Sequence, residues 1–249
     1  MARAVIAGDL HLYYDQTNVE AVEAFTSMLD DEPPDLLVLG GDIYELWRRD
    51  LSGAPWMASD FTDTVLDLRD RGVDVVYVAG NHDDYLLRHL SHDARYPFEP
   101  VLDYRVTFGS TDLFVTHGHK YEPTYNPVTN DALALTDDHA GRVADWLYSN
   151  RPLAETPPDR LLSFIAGPSA SYFDPEALAN NKFRRRAVET GIREETEDGE
   201  WGVYGHTHIP GLDGEDRIAN WGSMTAGRRT YIEVEDGEVR LQEVQGYSR

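Results

Sequence analysis

The apolar run Asp74-Val75-Val76-Tyr77-Val78-Ala79 ends abruptly in Gly80-Asn81-His82-Asp83, and this change constrains the chain more than any other stretch. A short β-branched run reads as a buried strand, and the polar donors that follow are delivered at its C-terminal end. The same device occurs twice upstream. Arg3-Ala4-Val5-Ile6-Ala7-Gly8 leads into Asp9-Leu10-His11, and Asp35-Leu36-Leu37-Val38-Leu39 leads into Gly40-Gly41-Asp42-Ile43-Tyr44-Glu45. Between these runs the apolar spacing turns helical. Val19, Val22, Phe25, Met28 and Leu29 follow an N-cap candidate, Asn18, and stop at Pro33-Pro34; Val65, Leu66 and Leu68 mark a helix over 61–71 closed by Gly72. Strands alternating with helices become parallel neighbours through right-handed crossovers, which brings their C-terminal ends to one edge. Asp9, His11, Asp42, Asn81 and His82 are therefore expected to converge.

Beyond residue 100 the pattern changes to strands joined by a turn, over Val101 to Phe108 and Asp112 to Thr116, and the second run ends in His117-Gly118-His119. His117 comes first after the strand and is the expected ligand; His119 is left to meet substrate or face solvent. Residues 120–200 read as a mostly helical cap insertion within a single domain spanning 1–249. Its signs are Val143, Ala144, Trp146 and Leu147 at helical spacing, a helix over Arg160 to Ala166, and the start signal Asp174-Pro175-Glu176. Trp201-Gly202-Val203-Tyr204 then leads to Gly205-His206-Thr207-His208, where side chains two apart share a face, as they do for Asp9 and His11. Arg217 to Gly222 and the hairpin Tyr231 to Val244, turning at Asp236-Gly237, are expected to supply a second sheet, with Asn220-Trp221-Gly222 shaping the site wall. Tyr44 and Trp47 read as packing residues, Arg184-Arg185-Arg186 as partners of the abundant acids, and His89, His92 and His139 as surface residues.

Composition narrows the chemistry. The 249 residues contain no cysteine, which excludes disulfides, thiolate ligands and a cysteine nucleophile, so any metal must be held by nitrogen and oxygen. The longest apolar runs are strand-sized, short of the ~20 residues that span a bilayer, and no leader pattern precedes Ala4-Val5-Ile6-Ala7; a cytoplasmic location is the expectation. The net charge is -23, with Lys120 and Lys182 the only lysines. Such self-repulsion weakens a compact state at low salt but is screened at ~1 M, where the Debye length is ~3 Å, so the composition suggests a salt-loving source. It also argues against duplex nucleic acid as a partner, since broad duplex contact needs clustered Lys and Arg.

Asp9-Leu10-His11, Gly41-Asp42, Gly80-Asn81-His82-Asp83, His117-Gly118-His119 and Gly205-His206-Thr207-His208, in this order and each after an apolar strand, resemble the calcineurin-like metallophosphoesterases. The resemblance covers nearly the whole chain. It implies an α/β fold, a four-layer αββα sandwich of two mixed β-sheets flanked by helices, with a two-metal site at the strand ends. It also implies that one metal takes Asp9, His11 and His208, that the other takes Asn81, His117 and His206, and that Asp42 bridges both. The donor set makes chemical sense: a carboxylate offers two oxygens to two cations, and metals ~3.5–4 Å apart clamp the attacking and leaving oxygens of an in-line displacement. A neutral Asn81 preserves the positive excess that attracts a phosphate anion.

The activity so implied is that of a two-metal-dependent phosphoesterase hydrolysing a phosphomonoester, phosphodiester or pyrophosphate by attack of a metal-bridging hydroxide. His82 is the expected acid that protonates the leaving oxygen, with Asp83 orienting its imidazole. Nitrogen and oxygen donors suit manganese, zinc, iron, cobalt or nickel better than calcium, and manganese is the first expectation from the family. Gly41-Asp42-Ile43-Tyr44-Glu45-Leu46-Trp47, with a helical insertion downstream, looks like the branch that includes the UDP-2,3-diacylglucosamine hydrolases. Those hydrolases commonly carry Arg after the Asn, where this chain has His82, so the expected substrate stays a small-molecule or lipid-linked phosphoester. Two alternatives stand beside it: a nuclease of the same superfamily, and a binding scaffold that keeps the fold without catalysis.

Overall fold

The structure is a computed structural model that describes residues 2–14, 16–45, 55–83, 100–122 and 182–245. Its strands are β1 (Arg3–Ala7), β2 (Leu36–Leu39), β3 (Asp74–Tyr77), β4 (Asp103–Phe108), β5 (Thr111–Thr116), β6 (Trp201–Tyr204), β7 (Gly211–Asp213), β8 (Ile218–Asn220), β9 (Thr230–Glu235) and β10 (Glu238–Glu243). The described helices are α1 (Val19–Asp31), α2 (Pro55–Asp70) and α3 (Lys182–Glu195). α1 begins as expected, with the Asn18 side chain accepting the Ala21 N–H at 3.2 Å. Among the described residues, no helix is long and apolar enough to cross a membrane.

The strands form two mixed sheets of five, in the orders β10-β9-β1-β2-β3 and β4-β5-β6-β8-β7. β1, β2 and β3 are parallel, with Ala7 opposite Leu39 and Leu39 opposite Tyr77, so the three strands stop level with one another. β5, β6 and β8 are parallel in the second sheet, which aligns the residues after Thr116, Tyr204 and Asn220. Strand alternation decides the layers. Val5, Ala7, Leu37 and Leu39 face Val22, Phe25, Leu29, Phe61, Val65 and Leu68 of α1 and α2. Ala4, Ile6 and Val38 face the other way, onto Leu113, Val115, Val203 and Ala219 of the second sheet. Phe114 and Tyr204 then meet Val188 and Ile192 of α3. Helix, sheet, sheet and helix follow in four layers, as expected for the α/β sandwich.

The structure corrects the reading of the terminal hairpin. β9 and β10 belong to the first sheet: β9 pairs antiparallel with β1, placing Ile232 opposite Ile6. The expected turn is present, with Asp236 and Gly237 both at positive φ (52° and 84°), as a two-residue hairpin requires. Alternation alone shows that a strand has one buried face but not which sheet edge it closes. β7, a three-residue edge strand paired with β8, carries no clear strand pattern in the sequence. The expected elements at Tyr85 to Leu90 and over 123–181, together with Trp47, His89, His92 and His139, lie outside the described residues.

Candidate metal centre

Each expected ligand sits just past a strand end, and several strands end in the same way. Asp9, His11, Asp42, His206 and His208 have φ of 52°, 48°, 51°, 62° and 56°, in the left-handed region. That conformation costs an L residue about 1–2 kcal/mol, and it turns the chain sharply where the strand stops. The loops after β1 and β2 remain paired through it. Asp9 N–H donates to Gly41 O at 2.8 Å, His11 N–H to Asp42 O at 2.9 Å and Leu12 N–H to Ile43 O at 2.8 Å. Main chain therefore sets Asp9 and His11 relative to Asp42. The loop after β3 is tied in by side chains: His82 N–H donates to Asp42 Oδ1 at 2.8 Å, and Asp83 accepts the Ile43 and Gly80 amides at 2.8 and 2.6 Å and the Tyr77 hydroxyl at 2.5 Å. Buried Asn81 lies in this same turn.

The imidazoles are held from behind. His11 Nδ1 and His82 Nδ1 contact the two oxygens of one buried carboxylate, Glu45, at 3.1 and 2.8 Å. The orienting partner of His82 is thus Glu45, and Asp83, expected in that role, instead staples the loop after β2 to the turn after β3. His117 Nδ1 donates to Gly40 O at 3.0 Å, and His206 Nε2 pairs with Glu122 Oε2 at 2.9 Å. These contacts occupy one ring nitrogen each and leave Nε2 of His11 and His117 and Nδ1 of His206 as the nitrogens that could face a cation.

The opposite ring edges converge. Asp42 Oδ2 lies 3.2 Å from His117 Nε2, 3.8 Å from His11 Nε2 and 4.0 Å from His82 Nε2. Asp9 Oδ1 lies 3.0 Å from His208 Nε2, which is 3.2 Å from His11 Nε2. Donor atoms of Asp9, His11 and His208 form one tight group, those of Asp42, His117 and His206 a second, and those of His11, Asp42 and His82 a third. Among the described residues, Asp9 Oδ1 and His117 Nε2 are buried yet have no hydrogen-bond partner. Buried polar atoms ordinarily have one, and carboxylate and imidazole donors crowded toward common points, two of them unsatisfied, fit a divalent cation of the nitrogen- and oxygen-binding class.

The family model for calcineurin-like phosphoesterases matches residues 2–210. The chain belongs to that family. No curated protein matches it. Solved structures resemble it at low identity. A conserved protein of Streptococcus pneumoniae described as a predicted phosphoesterase is 16% identical, with 100% of this chain and 95% of that one covered and a TM-score of 0.40. Vacuolar protein sorting 29 of Cryptosporidium parvum is 13% identical (97% and 95% covered, TM-score 0.45), and a hypothetical protein of Pyrococcus horikoshii is 12% identical (100% and 90% covered, TM-score 0.50).

In this calcineurin-like phosphoesterase the charges are unevenly settled. Burial alone would raise the Asp9 and Asp42 carboxyls, but the neighbouring histidines, chiefly His208 for Asp9 and His117 for Asp42, hold both below the usual range. Glu45 is lowered in the same way by His82 and His11. Burial would lower His117, yet Asp42 and Asp9 overcome it and push the imidazole up to about 10. His119, two residues on, is held well below its ordinary value by burial and the charge of His117; it is 3% exposed, so it does not face solvent. Burial and the charge of Asp42 push Asp83 up to about 6.

Sequence reasoning missed Glu45 and Glu122. Both follow a motif closely, Glu45 three residues after Asp42 and Glu122 three after His119, but among 45 acids a buried one has no distinguishing mark. Glycines at the strand ends make room for neighbouring side chains: a Cβ at Gly80 would strike the Asp42 carboxylate, and Cβ atoms at Gly8 and Gly40 would come within 2.8 and 2.5 Å of the Trp221 ring.

Proposed function

We propose that the protein is a two-metal-dependent phosphoester hydrolase, acting on a phosphomonoester, phosphodiester or pyrophosphate. The observation that supports this most directly is the convergence of donor atoms from buried Asp9, His11, Asp42 and His117 and half-buried His206 and His208, with the imidazoles of His11, His117 and His206 held from behind. One cation would be held by Asp9, His11 and His208, the other by Asn81, His117 and His206, and Asp42 would serve both. Two such cations supply Lewis-acid polarisation of the phosphate, an acidified water nucleophile and neutralisation of developing charge. Manganese is the first candidate, followed by zinc, iron, cobalt and nickel.

The chain's own residues then have separate tasks. His82 presents Nε2 on the Asp42 side while Glu45 takes its Nδ1 contact, so a proton held on Nε2 is aimed into the site and the resulting imidazolium is matched by a carboxylate. His82 is assigned to protonate the leaving oxygen. Replacing it by Ala should leave metal content intact and lower turnover by about 10²–10⁴-fold for poor leaving groups, with much less loss for nitrophenyl phosphate. Equal losses for good and poor leaving groups would overturn the assignment. Comparing nitrophenyl phosphate with bis-nitrophenyl phosphate separates monoester from diester preference, and a metal-replete protein inert toward both and toward pyrophosphates would remove the hydrolase reading.

We also propose adaptation to high salt. The net charge of -23 is carried partly by runs of exposed acids such as Asp30-Asp31-Glu32 at the C-terminal end of α1. Screening at ~1 M salt removes most of that repulsion, so the melting temperature should climb with KCl concentration. A flat or falling curve would sink the proposal.

A further inference from the structure

The loops that carry the candidate ligands close around a single large side chain. Trp221 follows β8 and is completely buried between the two sheets. Its slot is cut by glycines from three different strand ends: Gly8 after β1, Gly40 after β2 and Gly205 after β6. A Cβ at Gly8 would lie 2.8 Å from the indole nitrogen, one at Gly40 would lie 2.5 Å from the far ring edge, and one at Gly205 would overlap both the indole and the Asp9 carboxylate. No other residue type fits at these positions without displacing the ring. The slot belongs to both sheets, so the ring also sets how they meet at the site.

The ring's polar edge has one target. Trp221 Nε1 donates to Asp9 Oδ2 at 2.7 Å, and the His206 N–H donates to the same oxygen at 3.1 Å. Oδ2 is thereby satisfied by two donors, while Oδ1 is the buried oxygen without a hydrogen-bond partner, 3.0 Å from His208 Nε2. A carboxylate can rotate about its Cβ–Cγ bond and present either oxygen or both. An indole N–H locked in a slot removes that freedom, because an indole only donates and cannot rotate within the slot. The other face of the site is within reach too, since the His117 and Trp221 rings are 6.4 Å apart.

We propose that Trp221 is a positioning residue for Asp9: its N–H holds Oδ2 and so reserves Oδ1 for the cation bound with His11 and His208. The role rests on the two-cation reading above. A side chain that only filled space would contribute stability, whereas this one also controls metal affinity. Partners that orient metal ligands in this way typically contribute about 10–100-fold in affinity.

The test is Trp221→Phe in the full chain, stripped of metal and titrated calorimetrically with Mn2+ beside the parent, below the melting temperature of each metal-free form. The parent should bind two Mn2+, and the variant should bind one of them about 10–100-fold more weakly. Parent-like affinity at both sites in the variant overturns the positioning role alone. A parent that binds no Mn2+ overturns the two-cation reading and this role with it. Should the variant fail to fold, the parent's indole N–H signals decide. One of the five tryptophans should show an exchange-protected signal that shifts as Zn2+ is added. Indole signals that all stay in place up to two equivalents overturn the proposal.

Discussion

The strand ends of the first sheet bring Asp9, His11, Asp42, Asn81 and His82 to the centre, whereas those of the second bring His117, His206 and His208. Every aspartate ligand candidate therefore comes from one sheet, and the other sheet contributes imidazoles alone. The supports differ as well. In the first sheet the loops continue their parallel pairing by main-chain hydrogen bonds, and one carboxylate, Glu45, holds both His11 and His82. In the second sheet His117 is held across the sandwich by Gly40 O, and Glu122 holds His206 alone. The first half is positioned by its own backbone. The second is positioned by its fit against the first, which makes its geometry depend on how the sheets close.

The largest expected effect comes from the residue between the two halves. Asp42→Asn keeps an acceptor for the His82 N–H but removes the charge beside His117, His11 and His82. It should abolish binding of both cations. Loss of several kcal/mol of charge stabilisation corresponds to a fall in turnover of about a thousandfold or more. Metal analysis after dialysis checks it, and retention of both ions would show that the halves bind independently.

Acidity should expose the second half next. His117 in the metal-free protein titrates near 10, above its ordinary 6.5, because Asp42 and Asp9 outweigh burial. A raised histidine stabilises the metal-free fold fully below 6.5, and that contribution is lost as pH rises through about 10. The metal must displace the same proton, so affinity at the His117 side should rise up to about tenfold per pH unit between 7 and 10. Over that window the metal-free melting temperature should fall while the increment from Mn2+ grows. Calorimetry in buffers of different ionisation heat should register the released proton; pH-independent affinity would mean that His117 is not a ligand.

The two glutamates allow a direct contrast. Glu45→Gln loosens two rings and should reduce turnover by about 100-fold, while Glu122→Gln loosens one and should reduce it by about tenfold, both within the usual range for partners of metal ligands. A larger loss at Glu122 would reverse the ranking of the two halves. The smallest effect concerns closure itself. Gly205→Ala would push into Trp221 and Asp9, and overpacking of this kind costs about 1–3 kcal/mol, read as a lowered melting temperature. Gly214→Ala meets nothing within 4 Å and should stay within about 0.5 kcal/mol of the parent.

Much of this was legible beforehand. The breaks after Ala7, Leu39, Ala79 and Thr116 marked strand ends, and parallel crossovers placed Asp9, His11, Asp42 and His82 on one edge, where the structure finds them. The hairpin was legible as a hairpin, since Asp236-Gly237 dictates its turn, but not as the neighbour of β1. Glu45 was visible as a letter in the loop after Asp42, yet its burial and its grip on two histidines were not.

The sequence by itself determined the order of strands and helices, the polar groups at the strand ends and the family, because periodicity and short motifs report local backbone and local chemistry. Only the tertiary structure decided which partner each group has. Trp221 and Asp9 are 212 positions apart, and His206 and Glu122 are 84 apart. Contacts of that span leave no local periodicity; they exist only once two sheets have packed and a slot between three glycines has the width of an indole.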